Sequence, residues 1–116
     1  MVKRIEADIP VTAGSGNVFA DIGLPEPEEE LIKAQLASHI RQVMKRRRLT
    51  QVAAASLMGV DQPKVSALCN GRLANFSSDR LMRLLAALGE DIDITVRTAS
   101  NRAEKGRVRV IVEAAA

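Results

Sequence analysis

Residues 51–71 read QVAAASLMGVDQPKVSALCNG, and the spacing of small, apolar and glycine residues within them decides the fold. Two short helices that cross steeply need a small residue at the crossing, here Ala55. They also need a residue in the turn that can take a positive φ, here Gly59. Five further positions of the stretch are apolar: Ala54, Met58, Val60, Val65 and Leu68. The stretch therefore predicts a helix-turn-helix whose apolar positions face a third helix.

The composition indicates one globular domain with a modest core. The chain has 116 residues, of which 47% are hydrophobic and 27% charged. No apolar run reaches the roughly 18 residues of a membrane span, and the first residues, MVKRIEADIPVT, contain no apolar signal-peptide region. A single cysteine, Cys69, excludes an internal disulfide and fits a reducing compartment. We therefore expect a cytoplasmic protein.

The net charge of +3 is divided unevenly along the chain. Residues 1–30 carry two bases against seven acids, a net of −5, whereas residues 31–78 carry eight bases against Asp61 alone, a net of +7. A basic block attracts phosphate by releasing counterions, so this block is the electrostatic footprint of a nucleic-acid-binding protein. A solvated surface of mixed charge is the alternative, and the near absence of acids in the block argues against it.

Three segments are predicted along the chain. Residues 1–27 form an N-terminal arm, since a Gly-Ser-Gly break and three prolines interrupt regular structure. The apolar residues between Asn17 and Leu24 should nevertheless dock on this domain or on another protein. Residues 28–90 form the helix-turn-helix DNA-binding domain, and residues 91–113 form C-terminal β-strands. The fold class is therefore mainly α, with four to five helices, an N-terminal arm and a C-terminal β-strand pair.

Capping residues and apolar stripes mark the helices of the central segment. The first helix runs from about Pro27 to Arg48, with its acids near the start and bases near the end complementing the helix dipole. Thr50, Asp61 and Ser77 or Ser78 are the predicted N-caps; Pro63 falls in a first turn, and Gly71 and Gly89 end helices. Two stripes should be buried, the first made of Leu36, Ile40, Val43 and Met44 and the second of Leu81, Leu84, Leu85 and Leu88.

After Gly89 the apolar period changes to two. Ile92, Ile94 and Val96 alternate with polar residues, as do Val108 and Val110, and the polar loop 98–106 separates the two runs. A lone hairpin is marginal in water, so the strands need a cover. We expect them to pair across a homodimer, because helix-turn-helix repressors usually bind as two-fold dimers. A hairpin folded onto its own domain, or a frayed tail, is the alternative.

The third helix is the candidate recognition helix, whose N-terminal residues would lie nearest the bases of the major groove. The Gln62 amide can pair with adenine, and Lys64 can reach guanine or a phosphate. Ser66 and Ala67 lie one turn further on. Gln51, Asn70 and Arg72 are candidates for the phosphate backbone. The predicted DNA-binding residues are therefore Gln51, Gln62, Lys64, Ser66, Ala67, Asn70 and Arg72.

The string TQ-x3-A-x3-GV-x-Q-x2-V-S-x-L-x2-G, from Thr50 to Gly71, resembles the lambda-repressor-like (Xre) family. The resemblance implies that Gln51 binds a phosphate and buttresses Gln62, which reads an adenine, and that Asn70 binds a phosphate. Pro63 departs from the family pattern, because many relatives place a polar base-reading residue there. The base-reading set is therefore narrowed to Gln62, Lys64, Ser66 and Ala67.

The flanking segments SGNVFADIGLPEPEE (15–29) and FSSDRLMRLLAALGEDIDITVR (76–97) resemble HigA-like antitoxins. The resemblance implies a partner, a RelE/HigB-like toxin that cleaves mRNA on the ribosome, and repression of the shared operon. A ribonuclease toxin needs a basic RNA-binding face, which the acidic arm could occupy. A stand-alone Xre-type regulator without a toxin is the alternative, and a partner-binding scaffold is a third possibility.

Neither catalysis nor a cofactor is predicted. His39 is the only histidine and has no metal-ligand partner at a suitable spacing, and Cys69 is expected to be a small packing residue. No paired histidines, cysteines or carboxylates surround an evident pocket, so we expect a binding protein and not an enzyme. Its predicted partners are double-stranded operator DNA, a second copy of the chain and the toxin. No association with a membrane is predicted.

Overall fold

The computed structural model describes residues 26–101 and 105–113, and within them the chain forms four helices. These are α1 (Glu26–Arg46), α2 (Gln51–Met58), α3 (Gln62–Cys69) and α4 (Ser78–Ala87). The helix-turn-helix is formed by α2 and α3, as the spacing of residues 51–71 predicts. The fold is mainly helical, and α1 ends two residues before the predicted boundary.

Two of the predicted N-caps form the expected hydrogen bonds. The Thr50 hydroxyl accepts from the backbone N–H of Ala53 at 3.1 Å, and the Ser77 hydroxyl accepts from that of Arg80 at 3.1 Å. Each bond satisfies a backbone donor that has no partner inside its helix. The chain therefore enters α2 and α4 where the sequence indicated.

Asp61 occupies the N-cap position of α3, but its side chain makes no capping bond, so that part of the prediction is wrong. A capping carboxylate would accept from the second or third residue of the helix. The second is Pro63, which has no N–H, and the N–H of Lys64 donates to the backbone carbonyl of Asp61 at 3.0 Å. Neither of the two N–H groups that a capping carboxylate uses is therefore left for the Asp61 side chain.

The exit from α1 is a feature that the sequence did not predict. Arg48 has φ +54°, the left-handed conformation that usually belongs to glycine after a helix. The N–H of Leu49 reaches back to the Met44 carbonyl at 2.8 Å and closes the turn. The turn between α2 and α3 uses Gly59 with φ +69°, as predicted.

One core joins the four helices, and both predicted stripes are buried in it. The helix α4 packs mainly on α1, while α2 packs on α3. The motif positions Ala54, Ala55, Met58, Val65 and Leu68 are buried, and Val60 packs against the core from a half-buried position. The remaining buried members of this cluster include Leu36, Ile40, Val43, Met44, Phe76, Leu81, Leu84, Leu85 and Leu88. The apolar periodicity therefore identified the inward faces of the helices correctly.

The predicted C-terminal β-strand pair is absent from the described residues, in which 91–101 and 105–113 lie outside any helix or strand. Ile94 and Val96 are 75% and 89% exposed, whereas Val108 and Val110 pack against the helical core. The backbone N–H of Val108 donates to a carboxylate oxygen of Glu28 at 2.8 Å, not to a neighbouring strand. An isolated hairpin buries too little apolar surface to be stable in water. The second apolar run, which contains Val108 and Val110, docks instead on the helices of its own chain.

The arm predicted for residues 1–27 lies almost wholly outside the described residues, as do positions 102–104 of the polar loop. Among the helices of the described ranges, none combines the length and the apolar character needed to cross a membrane.

Candidate nucleic-acid interface

The first turn of α3 is open to solvent while its opposite face is anchored in the core. Gln62, Pro63 and Lys64 are exposed, whereas Val65 and Leu68 are completely buried. Pro63 stands in the first turn, where its missing N–H costs little. The helix therefore presents its N-terminal residues outward, which is the orientation that base recognition in a major groove requires.

A hydrogen bond joins the two helices of the motif at this exposed end. The side-chain amide nitrogen of Gln62 donates to the amide oxygen of Gln51 at 3.1 Å. The bond uses one N–H of the Gln62 amide and leaves its second N–H and its carbonyl oxygen for a base edge. The contact that the family resemblance implied, Gln51 buttressing Gln62, is thus present before any DNA is bound.

The rest of α3 is less accessible than the sequence suggested. Ser66 and Ala67 are half-buried, and Ala67 packs against the core. The Asn70 side-chain nitrogen donates to the Ser66 carbonyl at 2.9 Å and lies 3.4 Å from the Ser66 hydroxyl. Asn70 therefore closes the end of its own helix, and one of its two bonds to Ser66 must break before its amide can donate to a phosphate. Arg72 is exposed just beyond.

The bases of the helical body divide into two groups by their contacts. Five are engaged within the chain: Lys33 with Glu30 at 3.3 Å, Arg41 with the Leu68 carbonyl at 2.9 Å, Arg46 with Glu90 at 3.6 Å, Arg47 with the Leu88 carbonyl at 2.7 Å and Arg83 with Asp79 at 2.9 Å. Five others have no ion pair or side-chain hydrogen bond with the described residues and are exposed: Lys45, Arg48, Lys64, Arg72 and Arg80. The second group is free to neutralise phosphates.

Three of those free bases, Lys45, Arg48 and Arg80, were missing from the sequence-based site. The run KRRR at 45–48 contains two of them, Lys45 and Arg48, but a basic run at the end of a helix is equally typical of dipole compensation. The contacts now divide the run. Arg46 binds Glu90, just beyond α4, and Arg47 binds the Leu88 carbonyl at the end of α4. Lys45 and Arg48 remain unpaired among the described residues.

His39 and Cys69 have structural roles. The Nε2 atom of His39 lies 2.6 Å from a carboxylate oxygen of Glu90, which ties α1 to the end of α4. Cys69 packs against the core, as expected. Across residues 26–101 and 105–113, no three His, Cys, Asp or Glu side chains gather where they could hold a metal ion.

Comparison with known proteins agrees with this geometry. A family model described as "Helix-turn-helix domain" matches residues 18–97, more than half of the chain. A solved structure named "Putative XRE Family Transcriptional Regulator" is 43% identical, with a TM-score of 0.72 over 77% of this chain and 100% of its own. The "Putative antitoxin HigA2" of Mycobacterium tuberculosis is 36% identical over 61 residues, which are 53% of this chain and 60% of that relative. The chain thus matches about three fifths of that relative's length.

Proposed function

The chain belongs to the helix-turn-helix domain family and is of the Xre type, and from this premise we propose that it is an autorepressing antitoxin. It binds operator DNA in a sequence-specific manner, represses its own operon, and neutralises a RelE/HigB-like mRNA endonuclease toxin. The observation that carries the DNA-binding part is the exposed first turn of α3, where Gln51 already holds Gln62. The antitoxin part is supported by the similarity to HigA2.

In the proposed complex α3 lies in the major groove. Gln62 pairs with adenine through the free half of its amide, and Lys64 contacts guanine or a phosphate. Ser66 and Ala67 are half-buried, so they contact the bases only through the exposed part of their side chains. Gln51, Asn70 and Arg72 bind phosphates, which set the register of the protein on the duplex. The free bases Lys45, Arg48 and Arg80 add sequence-independent attraction.

The DNA-binding role is tested on the DNA that lies upstream of the protein's own reading frame, by fluorescence anisotropy at several salt concentrations. Gln62→Ala should weaken binding by about 1–3 kcal/mol, roughly 5- to 150-fold, and relax preference at one base pair. Arg72→Ala should weaken binding to every sequence and reduce the salt slope by about 0.9.

Two controls match these changes. Gln35→Ala removes the same amide from an exposed position of α1, and Arg83→Ala removes a cation that is already paired with Asp79. Both should bind like the wild type. If Gln62→Ala and Arg72→Ala also bind the upstream DNA like the wild type, the proposed docking of α3 is wrong.

The toxin partner is proposed from the HigA2 similarity together with the charge map. Residues 1–30 carry a net charge of −5, which suits the basic RNA-binding face of a ribonuclease. Co-purification from the native host, followed by mass spectrometry, should recover a small basic RelE/HigB-like protein. Deleting residues 1–16 removes two bases and two acids and so leaves the net charge of −5 in place. Unchanged toxin binding and neutralisation after this deletion would show that the polar start of the arm takes no part in the complex.

A homodimer in the cytoplasm is the proposed working form. Ile94, Val96 and Ile111 are 75%, 89% and 72% exposed, and burying such side chains against a second copy is favourable. Two-fold pairing would also match the two half-sites of an operator. Sedimentation at micromolar concentration should show a dimer that is lost when residues 91–113 are removed; a monomer in both forms would contradict the proposal.

A stand-alone Xre-type regulator is the second candidate function. The solved structure at 43% identity favours it, since its name speaks of a transcriptional regulator and not of an antitoxin. A small basic reading frame of the RelE type beside the gene supports the antitoxin. Operator binding without any co-purified partner supports the stand-alone regulator. A protein that binds a partner but no DNA would be a scaffold.

A further inference from the structure

The recognition helix is attached at its C-terminal end to a residue outside the motif. The Nη1 atom of Arg41, in the C-terminal half of α1, donates to the backbone carbonyl of Leu68 at 2.9 Å. Arg41 is half-buried, and the two residues are 27 positions apart in the chain. The Arg41 side chain therefore binds the backbone of α3. It leaves the side chains on the exposed face of α3 free.

The Leu68 carbonyl belongs to the last turn of α3, where backbone acceptors lack partners within the helix. The neighbouring carbonyls of Ser66 and Ala67 accept from the N–H groups of Asn70 and Arg72 at 3.0 Å and 2.9 Å. Leu68 receives the N–H of Gly71 at the longer distance of 3.2 Å, and the guanidinium completes its bonding. A cation at this end also complements the helix dipole.

The length of α3 makes the attachment matter for DNA recognition. A helix of eight residues spans about 12 Å, so a tilt of about 10° moves its far end by about 2 Å. Recognition geometry tolerates displacements of only about 0.5 Å. The Gln51–Gln62 bond holds the N-terminal end and Arg41 holds the C-terminal end, with Val65 and Leu68 buried between them.

We propose that Arg41 is a positioning residue for operator recognition. It fixes the tilt of α3 through the Leu68 carbonyl, and so sets where Gln62 and Lys64 meet the bases. It does not itself bind a phosphate, because the residue is half-buried and its guanidinium is engaged with the end of α3. The inference rests on the proposed DNA binding, yet its effect on α3 exists in the free protein and is measurable there.

The chain offers a matched control in Arg47. This residue directly follows the last residue of α1, and its Nη1 atom donates to the Leu88 carbonyl at the end of α4 at 2.7 Å. Arg41→Met and Arg47→Met therefore remove the same charge and the same kind of bond. Only the first change acts on α3.

The first measurement uses the full chain without DNA. In ¹H–¹⁵N spectra, Arg41→Met should shift the side-chain amide signals of Gln62 and Gln51, and Arg47→Met should leave them in place. Unchanged Gln62 signals in Arg41→Met would overturn the proposal. This readout does not depend on DNA binding, so it separates a failure of this inference from a failure of the proposed function.

The second measurement compares binding to the upstream DNA with binding to a scrambled duplex of equal length. Arg41→Met should lower the ratio of the two affinities roughly 5- to 150-fold, the discrimination that one bidentate base contact supplies. Its salt slope should equal that of Arg47→Met. An unchanged ratio, or a salt slope lower by about 0.9 than in Arg47→Met, would identify Arg41 as neutral or as a phosphate contact and overturn the proposal. If Arg41→Met does not fold, Arg41→Gln and Arg47→Gln give the same comparison.

Discussion

Two adjacent serines at the start of α4 should respond to the same mutation with opposite signs. The Ser77 hydroxyl accepts from the backbone N–H of Arg80 at 3.1 Å and caps the helix. The Ser78 side chain is completely buried, and its hydroxyl has no hydrogen-bond partner among the described residues. Ser77→Ala therefore removes a stabilising hydrogen bond, whereas Ser78→Ala removes a buried hydroxyl that has no hydrogen-bond partner among the described residues.

The expected magnitudes follow from these two environments. Losing an N-cap lowers the free energy of unfolding by about 1 kcal/mol. A buried hydroxyl without a partner costs about 1–3 kcal/mol. The small void left by the oxygen offsets part of that gain, so Ser78→Ala should raise the free energy of unfolding by about 1 kcal/mol. Each change should move the Tm by about 4–8 °C, in opposite directions.

Urea unfolding followed by far-UV circular dichroism measures both variants, since the chain has neither Trp nor Tyr to report by fluorescence. Equal m-values would show that only stability has changed. The argument fails if Ser78→Ala destabilises the protein by more than about 0.5 kcal/mol, a result that would mean the hydroxyl has a partner in solution.

Three further predictions concern backbone geometry and the C-terminal segment. Gly59→Ala should lower the free energy of unfolding by about 1 kcal/mol, because φ is +69° although an added Cβ would meet nothing within 4 Å. Arg48→Gly should raise the free energy of unfolding by about 1 kcal/mol, because φ is +54°, and Arg48→Ala is the control that should leave it unchanged. If Gly59→Ala and Arg48→Gly change the free energy of unfolding in the same direction in urea titrations, the strain argument is refuted. Glu28→Ala should speed hydrogen exchange of the Val108 amide about fivefold, equivalent to about 1 kcal/mol, and an unaltered exchange rate would show that the carboxylate does not hold this segment.

The helices and most of their ends could be predicted because they depend on neighbours in the sequence. Thr50 and Ser77 cap helices that begin one residue later, and the apolar stripes follow the helical period. The Asp61 bond was mispredicted because capping also depends on which N–H groups remain free in the first turn. The β-strand pair was mispredicted because alternation shows which side chains share a face but not whether any surface covers that face. Val108 and Val110 pack on the helices, whereas Ile94 and Val96 of the first run stay exposed.

By itself, then, the stretch from Gln51 to Gly71 determined the class of protein, since the spacing of small, apolar and glycine residues allows two crossed helices and their turn. The charge distribution added phosphate as the expected partner. Only the tertiary structure decided which bases are free, because a base's partner can lie far along the chain, as Leu88 does from Arg47, 41 positions away. The Arg41–Leu68 bond likewise joins residues 27 positions apart. Local rules act over one or two turns of helix, whereas contacts at these separations exist only once the packing of α1, α3 and α4 has set their relative positions.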